Sequence, residues 1–229
     1  MAEQLSFELP SKTARGREDF FVSPSNAMAV ALLSASSWPG GKLVLTGPEG
    51  SGKTHLTHVW ATETGARIIS ATALASEDLL RLSDAPLAVE DIPLIAKDAA
   101  AQDAMFHLHN LTLANGHPLL MTGRAAPSFW ALSLPDLHSR VQGAQHVALE
   151  PPDDELLGAV IAKLFYDRQL NPRPDLIRYL VRHMDRRFDV AAHMVERLDH
   201  IALTEKREIT RALAARLMAE KADPAAAGS

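Results

Sequence analysis

The stretch Gly47-Pro48-Glu49-Gly50-Ser51-Gly52-Lys53-Thr54 satisfies the pattern G-x-x-x-x-G-K-[ST] at every fixed position. This phosphate-binding loop (P-loop) constrains the fold because it works only between a strand and a helix. Its glycines let successive backbone N–H groups turn inward around phosphate oxygens, and the helix that follows adds its positive N-terminal end. Lys53 is expected at the β- and γ-phosphates and the Thr54 hydroxyl at Mg²⁺. The flanks agree: residues 42–46 (KLVLT) read as a short apolar strand, and residues 53–64 as a helix. The implied ligand is ATP or ADP with Mg²⁺.

Phosphoryl chemistry at such a loop needs acids beside it, and Leu87-Ala88-Val89-Glu90-Asp91 supplies two at the end of an apolar strand. One would hold the Mg²⁺ shell and the other orient the attacking water. Glu90 stands where such loops normally pair with an aspartate, and its extra methylene alters the metal geometry. Thr122 ends a further strand, Leu119-Leu120-Met121-Thr122, and is the candidate for touching the γ-phosphate or the water. Arg140, in Asp136-Leu137-His138-Ser139-Arg140-Val141, follows at the spacing of an arginine finger that acts on a neighbour's nucleotide. Read alone, Arg140 suits a surface salt bridge better; the order of the other elements favours the finger.

Strands and helices alternate through the first two thirds of the chain. A short helix is expected at 26–36, strands at 66–70, 86–89, 118–122 and 146–149, and helices at 76–82 and 98–115. That succession indicates an α/β fold with a mostly parallel sheet flanked by helices. After Pro151-Pro152 the strands cease, and helices are expected at 153–169, 173–184, 188–204 and 208–221. The organisation read from this is a flexible arm (1–19), an α/β nucleotide-binding domain (20–150), a small all-helical lid domain (151–221) and a disordered tail (222–229).

The 229 residues carry 47% hydrophobic side chains, enough for a buried core, and a net charge of −5, which disfavours a surface that grips nucleic acid throughout. There are no cysteines, so disulfides and thiolate chemistry are excluded. No apolar run is long enough to span a membrane, and the N-terminus does not read as a secretory signal, so a cytoplasmic protein is expected. The ten histidines are scattered without ligand spacing and read as surface or interface residues.

Several stretches together resemble the AAA+ family of DnaA replication initiators and their short relatives of the Hda type. Phe21-Val22 with Asn26 looks like the family segment whose backbone helps hold adenine, and Gly52-Lys53-Thr54-His55-Leu56 like its P-loop continuation. Phe106-His107-Leu108-His109-Asn110 and the segment from Asp136 to Arg140 are similar to its later helix and its finger segment. The resemblance runs from about residue 3 to residue 220. It implies an AAA+ domain followed by a helical lid. It departs from the family at Asp189, which falls where a lid arginine normally touches the phosphates; Arg186 or Arg187, one turn or less away, is the candidate substitute.

The N-terminal peptide Gln4-Leu5-Ser6-Phe7-Glu8-Leu9 resembles the bacterial sliding-clamp-binding motif, in which Gln makes polar contacts and two apolar residues enter a pocket. No helix-turn-helix domain is expected after the lid. Together these imply an Hda-type adaptor. Docked on the clamp with ADP or ATP bound, it would present Arg140 to a DnaA-type initiator and reach DNA, and so the nucleoid, only through its partners. Its intrinsic ATPase is expected to be slow, and a homo-oligomer is compatible with the fold. The alternative is an independent AAA+ ATPase acting on DNA, such as a helicase loader; a P-loop kinase is disfavoured because no acceptor site is evident. Replacing Gln4, Leu5 and Phe7 by alanine should abolish retention on immobilised clamp and leave the melting temperature unaltered. Equal retention of mutant and wild type would overturn the docking assignment.

Overall fold

The computed structural model describes residues 21–205 and 207–222. The clamp-motif residues Gln4, Leu5, Ser6, Phe7 and Leu9 lie outside the described residues. Five strands form one parallel sheet: β1 (Lys42–Thr46), β2 (Arg67–Ser70), β3 (Leu87–Glu90), β4 (Leu119–Gly123) and β5 (Gln145–Ala148), in the spatial order β2-β3-β4-β1-β5. Adjacent β1 and β4 send their chains toward opposite edges, β1 to β2 and β4 to β5. Such sheets bind ligands beyond the carboxyl ends of their strands.

The central strands are apolar through their interior positions because both faces are covered. Along β1, Leu43 and Leu45 enter one cluster with Trp38, Leu56 and Trp60, while Val44 enters the opposite one with Met105 and Leu108. Leu120 of β4 and Ala88 of β3 share the first side; Leu119, Met121, Leu87 and Val89 share the second. This period of two with both sides buried produces the continuous apolar runs visible in the sequence. The first side carries α1 (Ala27–Leu33) and α2 (Lys53–Thr64), pinned by the stacked rings of Trp38 and Trp60 at 5.3 Å. The other side carries α3 (Leu79–Leu82), α4 (Ala99–Ala114) and α5 (Pro135–Gln142). In α4, Ala101, Met105, Leu108 and Thr112 fall on one stripe at helical spacing, and all are buried.

Beyond β5 the described chain is helical: α6 (Asp154–Asp167), α7 (Pro174–His183), α8 (Phe188–Glu205) and α9 (Arg211–Ala222). They enclose a core of their own around Phe165, Leu180, Val195 and Leu217. Asp153 starts α6 by accepting the N–H of Leu156 at 2.8 Å, as its place before an apolar run suggests.

The helix expected at 76–82 is split. A 3-10 turn runs over Ala71–Ser76, Glu77 is extended, and α3 begins at Asp78, whose carboxylate accepts the N–H of Arg81 at 3.1 Å. An acid that can cap a helix restarts it rather than letting it run through. None of the described helices is long and apolar enough to cross a membrane.

Candidate functional site

At the carboxyl end of β1 the chain makes a turn that only glycine can follow at two points. Gly50 has φ +72° and Gly52 φ +96°. A Cβ on Gly50 would fall 2.7 Å from the Arg187 Cβ, and one on Gly52 3.0 Å from the Phe188 ring. The start of α8 therefore packs directly on the loop, where the Phe188 N–H donates to the Gly50 carbonyl at 2.8 Å. Gly52 then leads into α2, whose first residues, Lys53, Thr54 and His55, face a cleft of about 490 Å³.

The cleft has a polar and an apolar end. The P-loop residues from Glu49 to Leu56 line the polar end, while Leu156, Val160 and Leu164 of α6 line the apolar end, with Phe21 and Asn26 beside them. Asn26 fixes that entry segment, donating to the Phe21 carbonyl at 3.0 Å and accepting the Ser23 N–H at 2.9 Å. Val22 instead lines a separate, smaller hollow against α1 and α2.

Lys53 reaches back over the loop and donates to the carbonyls of Gly47 at 2.7 Å and Pro48 at 2.8 Å. Burial pushes its pKa down, with Arg124 acting in the same direction, while Asp91, Glu49 and Glu90 pull it up. Lys53 thus shares its surroundings with the two acids expected from the sequence. One carboxylate oxygen of Glu90 is buried with no hydrogen-bond partner, as is the Ser51 hydroxyl. Buried polar atoms of this kind are costly unless a ligand or water serves them. Thr54, by contrast, is exposed at the mouth.

Thr122 is buried, and its hydroxyl accepts the N–H of Asp91 at 3.0 Å. Asp91 itself is left-handed (φ 56°, ψ 48°), a conformation aspartate tolerates better than most residues. The strand-end threonine therefore fixes the turn that carries the acid.

The two lid arginines divide. Arg187 pairs with Asp189 through two guanidinium nitrogens, Nε at 3.0 Å and Nη2 at 2.5 Å, and with Glu49 of the P-loop at 3.3 Å. Arg186 turns away, to Asp154 at 2.7 Å and the Pro152 carbonyl. Of the two, only Arg187 stands at the P-loop. Arg124, which the sequence reading passed over, also reaches Glu49, at 3.2 Å. A lone arginine after a strand gave no signal; its meaning depends on where Glu49 sits.

Arg140 lies at the other end of β1. The Lys42 ammonium donates to the Arg140 backbone carbonyl at 2.7 Å and contacts His109 Nε2 at 3.3 Å. Lys42 is separated from Gly47 by the length of the strand, about 16 Å at the usual rise. The Arg140 side chain is exposed and makes no ion pair among the described residues. His109 corrects the expectation of surface histidines, for it is 1% exposed. An ammonium can only donate, so Nε2 accepts and Nδ1–H faces the Asn110 amide oxygen at 3.2 Å.

No family model matches the sequence. Solved structures do. Domain III of the Thermotoga maritima replication initiation protein DnaA matches with a TM-score of 0.77 at 18% identity, over 93% of this chain and 98% of that one. AMPPCP-bound DnaA from Aquifex aeolicus gives 0.66 at 20% identity, over 80% of this chain and 64% of that one. A RuvB variant from Thermotoga maritima gives 0.61 at 18% identity, over 77% of this chain and 60% of that one. The fold is a DnaA-like AAA+ fold. At these identities the likeness concerns the fold, and this chain spans just under two thirds of the Aquifex protein.

Burial above all, with the charges of Lys42 and Arg140, lowers the His109 pKa from 6.5 to about 4. The unfolded chain then binds the extra proton first, so this contribution to stability is complete above pH 6.5 and is lost as pH falls toward 4. His109→Gln should remove it, and urea midpoints measured between pH 4 and 7 should converge for mutant and wild type at the acid end. A constant gap across that range would contradict the assignment.

Proposed function

We propose that this chain is a nucleotide-gated regulator of replication initiation that docks on the sliding clamp and promotes ATP hydrolysis by a DnaA-type initiator. The observation that carries the reading is Arg140: exposed, without an ion-pair partner among the described residues, and a strand's length from the chain's own P-loop. A guanidinium so placed suits another molecule's nucleotide rather than its own. The Hda-like resemblance and the arm peptide supply the partners.

The chain's own nucleotide would be ADP or ATP. The glycine cradle and the orphaned Ser51 hydroxyl and Glu90 carboxylate oxygen fit a polyphosphate with Mg²⁺. Among the described residues no three His, Cys, Asp or Glu gather into a metal site. Mg²⁺ held with a nucleotide needs only one or two carboxylates besides phosphate oxygens. Thr54 and Glu90 would hold the ion, which neutralises charge on the phosphates when bound. Lys53 would leave its two carbonyls for the β- and γ-phosphates, Asp91 would orient water, and Thr122 would hold Asp91. Leu156, Val160 and Leu164 with Phe21 offer the base an apolar slot.

Two measurements test this. Lys53→Ala should weaken ADP affinity severely by calorimetry while the protein still folds; unchanged affinity would remove the nucleotide assignment. Arg140→Ala should abolish stimulation of initiator-bound ATP hydrolysis in the presence of DNA-loaded clamp, yet bind nucleotide and clamp normally. Arg140→Lys should rescue poorly, because lysine lacks the planar fork. Full stimulation by Arg140→Ala would make Arg140 a structural residue. Loss of the mutant's own nucleotide would favour an independent ATPase.

A further inference from the structure

Three cations converge on the P-loop, and protein acceptors engage all of them. Lys53 donates to two loop carbonyls. Arg124, from the turn after β4, contacts one Glu49 oxygen at 3.2 Å. Arg187, from the turn before α8, contacts the other at 3.3 Å and also holds Asp189. Glu49 is thus the acid on which two separate elements meet. It occupies a variable position of the loop and lines the cleft.

An acid here puts negative charge beside the place where the loop's chemistry calls for a polyanion. That arrangement repels a ligand phosphate unless the acid is neutralised, and Glu49 is neutralised twice. We propose that Glu49 is an internal competitor for the terminal phosphate of the nucleotide. Its carboxylate holds Arg124 and Arg187, a triphosphate takes them from it, and Glu49 with Arg124 sets the discrimination between nucleoside tri- and diphosphate.

The exchange is cheap on the protein side. The Arg124 and Glu49 side chains are 66% and 51% exposed, and ion pairs that open to solvent are weak. A terminal phosphate offers more charge and three acceptor oxygens, which match the guanidinium fork better than one carboxylate does. A diphosphate lacks that group and leaves the two arginines on Glu49. The exchange also reaches both elements that flank the loop. Arg124 follows Thr122-Gly123, the strand end that holds Asp91. Arg187 precedes Phe188, whose N–H is bound to Gly50.

This inference rests on the nucleotide reading above, and the test separates the two. The full-length protein with Mg²⁺ is titrated by calorimetry with ADP and with a non-hydrolysable ATP analogue, as wild type, E49Q, R124A and the double variant. E49Q, which keeps the shape and removes the charge, should raise triphosphate affinity by about tenfold and diphosphate affinity by much less. R124A, a change at an exposed side chain, should lower triphosphate affinity by about the same factor and spare the diphosphate. In the R124A background the gain from E49Q should shrink, because the two residues act through one contact. Equal shifts for both ligands with E49Q, or no loss with R124A, overturn the inference and leave the nucleotide site standing. A wild type that binds neither ligand overturns the nucleotide reading and the inference with it.

Discussion

The backbone contact between the P-loop and the first residue of α8 governs this structure. The Phe188 N–H reaches the Gly50 carbonyl at 2.8 Å, and the Phe188 ring lies against Gly52. It requires a buried strand to end there, since β1 delivers Gly47 from the centre of the sheet. It requires glycine at two places, since a side chain at either would push α8 away. It also joins the helical part to the sheet at the one place where a ligand phosphate would sit. Anything that moves the loop therefore moves α8, without a separate device to couple them.

A second connection runs from the acid turn to α5. The buried Gln102 amide donates to the carbonyls of Ile95 and Ala96, while its oxygen accepts from the Leu134 N–H and the Ser133 hydroxyl. Ile95 closes the turn that begins at Asp91, and Leu134 is the residue before α5. One side chain thus ties the loop beyond Glu90-Asp91 to the helix that carries Arg140. Leaving any of these buried groups unpaired costs about 1–3 kcal/mol, so the tie is firm. At the far end of α5 the Lys42 ammonium holds the Arg140 carbonyl, one of the orphan acceptors of a helix terminus. The backbone of Arg140 is fixed from both ends of its helix while its side chain stays in solvent.

The sheet was legible because each central strand is apolar at successive positions. Each strand edge lies within one residue of where the sequence put it, and the P-loop and Glu90-Asp91 stand together as their spacing implied. What escaped the sequence was pairing across distance. Arg124 carried no local pattern, and its meaning comes from Glu49 on another strand end. His109 looked like one of several scattered histidines until α4 brought it over Lys42. The split near residue 77 was missed because the capping preference of Asp78 was not weighed against the apolar run after it.

Asp189 changes what the start of α8 presents to the P-loop. The resemblance to the initiator family puts a lid arginine at this place. Here an acid in the first turn of α8 suits the positive end of that helix and binds Arg187, lifting the guanidinium pKa and lowering its own. The pair is nearly neutral as a unit, so α8 brings to the P-loop a shape and a backbone contact but little net charge. Of the cations near the loop, Lys53 alone faces no carboxylate directly. A phosphoryl group would have to draw Arg124 and Arg187 from their carboxylates before either could stabilise its charge. Arg140, exposed and without an ion pair among the described residues, stands at the opposite end of β1. On the proposed reading the fold has kept a phosphate cradle that senses a nucleotide and moved its free positive charge to where a different molecule can use it.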